Sequence, residues 1–459
     1  MTYPFKYPPF LNFLRKGEFF FITGKLIPFF LPNLTVLKVT QKQPNNLKHY
    51  FMTQTINRSA LFNASCLALI TTAFSFSIRA GILPQLGESF GLNAEQLGFI
   101  NSMWFLGFPI SMILGGLFYH IVGPANIMRI AFLTHTFGIL LTIFADGYTT
   151  LLISTLFIGF GNGCTEAACN PMIADMYSGT TLNKMLNRFH MWFPGGIVLG
   201  SLVSKFMTDG GFAWQTQVWV MMVPTLAYAV LFFGKTFPKP SIEGVTSVGS
   251  NLKAMFSPVF IFLFIAMAFT AISEFGPQQW ANIVLSSSGA SGMLILALTT
   301  GVMAVGRFFA GPVVKALGQT GVLLGGSIFT AIGIFLFSTV SGNMSYVAAL
   351  IFALGVCYFW PVMVGAVAQR VPLSGALGMS IIGGLGMFST AIFQPIIGSW
   401  IDASRATQSA AGLAGDALEL AAGQDTLEKM LLFPGILIVL FVIFFFWQRG
   451  VKPAATAGH

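Results

Sequence analysis

Twelve times along this chain a stretch of about 20 residues passes with almost no charge, the length needed to cross the hydrocarbon core of a bilayer. Inside lipid, backbone N–H and C=O groups must be satisfied internally, so such stretches fold as helices. They cover 60–83, 96–118, 127–146, 149–171, 187–207, 214–236, 258–285, 290–315, 320–340, 345–368, 375–400 and 430–448. Charged residues are 8% of the chain, against about 25% in soluble domains, which excludes a soluble globular protein.

Charge orients the array. A net charge of +9 would suggest nucleic acid as partner of a soluble protein; here Lys and Arg gather in one set of loops. Loops after even-numbered spans hold His120, Arg129, Lys184, Arg188, Lys235, Lys239, Lys253, Lys315 and Arg370, and the tail adds Arg449 and Lys452. Loops on the other side hold Glu88, Glu95, Asp146, Asp209, Asp402, Asp416, Glu419 and Asp425. These are the basic and the acidic end of the bundle. The positive-inside rule places the basic end and both termini in the cytoplasm, here of a bacterial inner membrane.

The chain repeats itself. Gly116 and Gly123 flank the loop after span 2, and Gly311 and Gly318 flank the loop after span 8 at the same spacing. Pro171 ends span 4 and Pro361 falls in span 10; Gly195-Gly196 lies in span 5 and Gly383-Gly384 in span 11. The expected fold class is therefore an all-α membrane protein with twelve transmembrane helices, as two six-helix bundles related by pseudo-twofold symmetry. That is the arrangement of a major facilitator transporter. The bundles are 59–236 and 258–448, joined by a cytoplasmic linker at 237–257 and followed by a tail at 449–459. Residues 1–58 read as an N-terminal extension, disordered or ahead of the natural start, because Met52-Thr53-Gln54-Thr55 looks like an ordinary start. The four cysteines, Cys66, Cys164, Cys169 and Cys357, lie in apolar segments without ligand spacing to His and read as small buried residues.

The run Glu166-Ala167-Ala168-Cys169-Asn170-Pro171, with Leu186-Asn187-Arg188-Phe189-His190 and Leu83-Pro84-Gln85 after span 1, resembles the fucose:proton symporter family of sugar transporters. The resemblance covers roughly 60–450. It implies the twelve-helix fold, transport of a small polar solute such as a hexose, and a span-4 sugar-site carboxylate at Glu166. It also implies that His190 stands where the fucose carrier has a sugar-binding Gln. Proton-coupled members carry a span-1 Asp; this chain has Ser77 there and Arg79 two residues on. The wider loop motif has an acid where this chain has His120 and Lys315.

Charges at membrane depth are costly and mark pathways or partners. Glu166 is read as a ligand for substrate hydroxyls or as a proton carrier, against a structural ion pair with Arg79. Arg79 is read as an anion-binding group, because guanidinium grips carboxylate bidentately, against snorkelling to the interface. In span 7, Gly276-Pro277 is expected to break the helix. Beside it Glu274, Gln278, Gln279 and Asn282 offer polar contacts and Trp280 a stacking face. Glu274 is a second proton-coupling candidate, against an ion pair with a neighbouring helix. Asn170, His190 and Trp360 complete the expected substrate site. Trp104 and Trp192 also read as cavity lining, against packing or an interface anchor; His135, in a span that packs peripherally, reads as a hydrogen-bonded scaffold residue. Arg307 reads as a gating or loop-anchoring residue.

There is no phosphate loop ending in Lys-Ser or Lys-Thr, no two-His metal motif and no serine-nucleophile elbow, so neither an enzyme nor a cofactor is expected. The expected partners are a small-molecule substrate, a proton and the bilayer, with no nucleic acid, and the protein acting as a monomer. The leading reading is alternating-access transport of a monosaccharide or related polyol. Arg79 in place of a span-1 acid sharpens it toward an acidic sugar or organic anion. A non-transporting sugar sensor and a drug or lipid exporter are the other classes weighed. Short loops and tail offer the first no docking domain, and several convergent polar groups count against the second.

Overall fold

The computed structural model describes residues 56–240 and 248–449. The N-terminal extension up to 55, the middle of the linker and the tail from 450 lie outside the described residues.

Spans 1 to 4 are single helices, Arg58–Phe90, Ala94–Val122, Pro124–Ile143 and Tyr148–Met176. Asn57 caps span 1 by accepting from the Ala60 N–H, and Asn93 with Gln96 forms a capping box on span 2. Span 1 does not stop at Leu83-Pro84. One missing N–H is tolerated, and the helix runs on to Gly91 at φ 63°. Span 5 is two pieces, Gly179–His190 and Trp192–Asp209; span 6 is Trp214–Val220 and Met222–Phe232. A linker helix, Val248–Met255, precedes span 7 at Pro258–Val284. Span 8 starts as Gly292–Gly306, tightens through a 3-10 turn at Arg307–Phe309 and continues in Ala310–Thr339, which also holds span 9. Span 10 is Met344–Val356 and Phe359–Arg370, span 11 is Gly375–Ala410, and span 12 is Gly415–Met430 and Leu432–Arg449. Ten stretches of the described residues are long and apolar enough to cross a membrane. One of them, Gly292–Thr339, has 48 residues, enough to cross twice.

Two expectations fail. Pro277 does not break span 7, because the turns around it are fully buried and packing holds the helix straight through the missing bond. The stretch 401–429, expected as a loop, is largely helical. Its charges pair along and between helices, as in Arg405 with Glu419 at 2.7 Å and Lys429 with Asp425 at 2.7 Å, so low hydropathy there does not mean coil.

The repeat read from the sequence returns in the backbone. Gly123 has φ 76° and ψ 154°, and Gly318 has φ 70° and ψ 162°, a conformation reached essentially only by glycine. Glycines also bring helices to backbone contact within each half. A side chain on Gly107 or Gly159 would strike backbone between spans 2 and 4. One on Gly333 or Gly355 would do the same between spans 9 and 10. Each pair is thereby locked at the short separation that small residues permit.

Across the halves, the acidic end is sealed. Asp402 of span 11 accepts from the backbone N–H groups of Ala94 at 3.0 Å and Glu95 at 2.9 Å, the first turn of span 2. Arg405 lies 3.7 Å from Asp402 and grips Glu419. A side chain on Gly98 would strike the backbone at Gln394 and Pro395, and one on Gly398 the backbone at Ala94. One turn deeper, Ser102 donates to the Ala391 carbonyl at 2.6 Å. That carbonyl is free because its helical partner would be the absent N–H of Pro395.

Candidate functional site

Arg79 is 5% exposed, in the half of span 1 nearer the acidic end, and does not snorkel. Its Nε donates to Asn101 Oδ1 at 2.8 Å and its Nη2 to Gln279 Oε1 at 2.5 Å. The guanidinium lies 5.1 Å from the Trp104 ring and 5.7 Å from the Phe105 ring. Around it Phe76 meets Trp104, Phe105, Phe193 and Phe275 edge-on, and Phe275 meets Trp360. Arg79 therefore stands in an aromatic cluster drawn from both halves, held by neutral amides. No carboxylate within ion-pair distance faces it among the described residues. Arg79 Nη1 and Asn101 Nδ2 are buried and have no hydrogen-bond partner among the described residues.

The alternative weighed for Glu166, an ion pair with Arg79, is not made. Ser75 and Asn162 are hydrogen-bonded at 3.1 Å and fix the level of span 1 against span 4. Arg79 lies one turn toward the acidic end from that contact, and Glu166 one turn toward the basic end. The two residues are thus about 12 Å apart along the helix axes. Glu166 is half-buried and accepts from Asn170 Nδ2 at 2.5 Å; Asn170 Oδ1 has no partner.

Span 7 divides the polar residues that the sequence groups together. Phe275, Gln279 and Asn282 share one face toward the first half: Gln279 holds Arg79, and Asn282 donates to the Gly81 carbonyl at 2.8 Å. Glu274 and Gln278 share another face, toward spans 8 and 10. Glu274, 2% exposed, lies 3.8 Å from Arg307, and Gln278 meets the Met303 sulfur at 3.6 Å. Trp280 is fully buried with its indole N–H unpartnered, so it offers no open stacking face in this conformation.

Arg307 joins two helix breaks. Its Nε donates to the Cys357 carbonyl at 3.2 Å, which lacks a helical donor because Pro361 follows four residues on. Tyr358 Oη donates in return to the Gly306 carbonyl at 2.8 Å. Trp360 is half-buried just after the span-10 break. His190 stands apart: it is exposed, ends the amphipathic first piece of span 5, and meets the Phe189 ring edge-on.

A sequence profile now decides the family: that of the Major Facilitator Superfamily matches residues 65–372. The chain belongs to the Major Facilitator Superfamily. A hexuronate transporter of Bacillus subtilis (strain 168) is 24% identical over 319 residues, 62% of this chain and 75% of the relative. Among solved structures, a D-xylose–proton symporter superposes with a TM-score of 0.70 at 14% identity, covering 86% of this chain and 98% of the other. A bacterial homologue of the human lysosomal transporter Spinster, inward-facing and unoccupied, gives 0.67 at 18% identity, covering 86% and 99%. This major facilitator protein is thus a multi-pass membrane transporter of small solutes and not an enzyme. The fucose-symporter likeness stands at the level of the superfamily.

Asn101 is the residue that sequence reading overlooked. An amide inside the apolar stretch that follows Gln96 in span 2 was the signal for it. Asn162, one turn before Glu166 in the same span, is another. Chemically, the site offers a buried cation with spare donors at one level and a carboxylate with an amide about 12 Å away.

Proposed function

We propose that this transporter carries an acidic monosaccharide, such as a hexuronate, or a related organic anion. The observation that carries the reading is Arg79: a buried guanidinium with neutral partners only, and with Nη1 and Asn101 Nδ2 both free to donate. Arg remains charged in proteins, and a buried charge without a counter-ion is costly, so this site favours an anionic group. Trp360, half-buried, suits the apolar face of a sugar ring, and Glu166 with Asn170 suits its hydroxyls. The hexuronate transporter among the relatives supports the same class.

Glu166 is the group that carries a proton with the substrate, and Glu274 assists from the second half. With the acidic end sealed, substrate would enter or leave this conformation at the basic end, on the cytoplasmic side by the positive-inside rule together with both termini, in a bacterial inner membrane. Alternating access is the rocking of residues 59–236 against 258–448 across the linker 237–257, within a monomer.

The test is thermal stabilisation of the purified protein by a panel of hexoses, uronic acids and small organic anions, on wild type and Arg79→Ala. Uronic acids stabilise the wild type and not the variant. Stabilisation by a neutral hexose that survives the substitution would make Arg79 a structural residue and refute the reading.

A further inference from the structure

His135 lies in span 3, is fully buried, and touches neither the aromatic cluster nor either carboxylate site directly. It nevertheless belongs to an unbroken chain of hydrogen bonds that begins at Arg79's ring partner. Trp104 Nε1 donates to Ser75 Oγ at 2.8 Å, and Asn162 Nδ2 donates to the same oxygen at 3.1 Å. Asn162 Oδ1 meets His135 Nε2 at 2.9 Å, and His135 Nδ1 meets Tyr228 Oη at 3.0 Å. Five spans contribute one member each.

The donors in this chain are fixed by one residue. The indole N–H can only donate, so Ser75 Oγ must accept it. The Ser75 hydroxyl proton is itself given to the Thr72 carbonyl at 2.8 Å. Asn162 therefore cannot take a proton from Ser75 and must turn its amide nitrogen toward it. That leaves Asn162 Oδ1 for His135, which donates from Nε2, and Nδ1 accepts from the Tyr228 hydroxyl. Both imidazole nitrogens are occupied in the neutral form, so the ring is a rigid connector. Gly161 makes room for it: a side chain there would collide with the imidazole, 2.7 Å from Nε2.

Resting on the acidic-substrate reading of Arg79, we infer that His135 is a positioning residue for the substrate-binding guanidinium. It holds Asn162, Asn162 holds Ser75, and Ser75 sets the plane of the Trp104 ring on which Arg79 rests. A ring face is attractive to a cation only from above its plane, so turning Trp104 displaces Arg79. The network thus links the scaffold spans 3 and 6 to the orientation of one charge at the centre.

The experiment measures D-glucuronate and D-glucose binding by calorimetry on the full chain in detergent, for wild type, His135→Leu, His135→Gln, Trp104→Phe and the Leu/Phe double variant. His135→Leu weakens glucuronate about tenfold and leaves any glucose binding unchanged, and Trp104→Phe weakens glucuronate by a similar factor. His135→Gln, which can donate and accept, stays within about threefold of wild type. The double variant is no weaker than either single one, because both cut the same chain. Additive glucuronate losses, or equal loss of both sugars in His135→Leu, would overturn the inference. If wild type takes neither sugar, the substrate reading is what has failed. Unfolding temperatures of the same ligand-free proteins then decide the link: non-additive shifts support it and additive ones overturn it.

Discussion

Asp402→Asn should loosen the seal at the acidic end by an amount that can be worked from its contacts. The carboxylate accepts two backbone N–H groups of span 2, at 3.0 Å and 2.9 Å. Hydrogen bonds to a charged group contribute about 1.5–3 kcal/mol each, and a negative charge at a helix N-terminus adds about 0.3–1 kcal/mol where exposed. Asp402 is 28% exposed, which favours the lower values. The amide keeps one oxygen and so one neutral bond, about 1 kcal/mol. Arg405 loses a neighbour at 3.7 Å but keeps its grip on Glu419. The net loss is roughly 2 kcal/mol, a shift of about 30-fold in the ratio of sealed to open states. Spin labels at Glu88→Cys and Ala411→Cys, both exposed at that end, report this ratio as a distance distribution once the four buried cysteines are replaced. The variant should show a longer-distance population grown at the expense of the short one. An unchanged distribution would refute the view that Asp402 holds the halves together.

Two further outcomes follow from the carboxylates. Glu166→Gln should abolish concentrative uptake into proteoliposomes while leaving the unfolding temperature near wild type, since Glu166 is half-buried and bonded only to Asn170; normal uptake would remove it from the mechanism. Arg307→Ala should destabilise the protein by about 3 kcal/mol in thermal unfolding, because it leaves Glu274 buried and unpaired, and Glu274→Gln in the same chain should restore most of that loss. A double variant as unstable as Arg307→Ala alone would show that the pair is not the source of the effect.

The span count, the repeat and the costly charges were legible in the sequence, because each rests on a local rule. An apolar run must become a helix, and a buried Arg or Glu must find a partner. The partners were not legible. Arg79 rests on Asn101 and Gln279, and Glu274 on Arg307, through choices of helix face that depend on which helices become neighbours. In span 7 the 3.6-residue period separates Glu274 and Gln278 from Gln279 and Asn282. Which of the two faces meets the other half is decided only by packing. Breaks were misread for a related reason. Gly276-Pro277 carries the signal and stays helical under tight burial, whereas Met191 and Arg307 carry none and end their helices. His135 was legible as a hydrogen-bonded scaffold residue, but the chain of partners leading inward from it was not.

The two breaks in spans 8 and 10 bear on how this protein can vary over descent. Pro361 strands the carbonyl of Cys357, and a side chain from the other break, Arg307, answers it. The 3-10 turn diverts the Ala310 N–H to Arg307, which strands the carbonyl of Gly306, and Tyr358 answers that. Each irregularity supplies the remedy for the other. A lineage that straightened one span would leave an orphaned polar group in its neighbour, so the two should be inherited or lost as a unit. In related chains, a proline four residues after the position of Cys357 should travel with an arginine at the position of Arg307, a co-variation that marks the hinge without reference to any substrate.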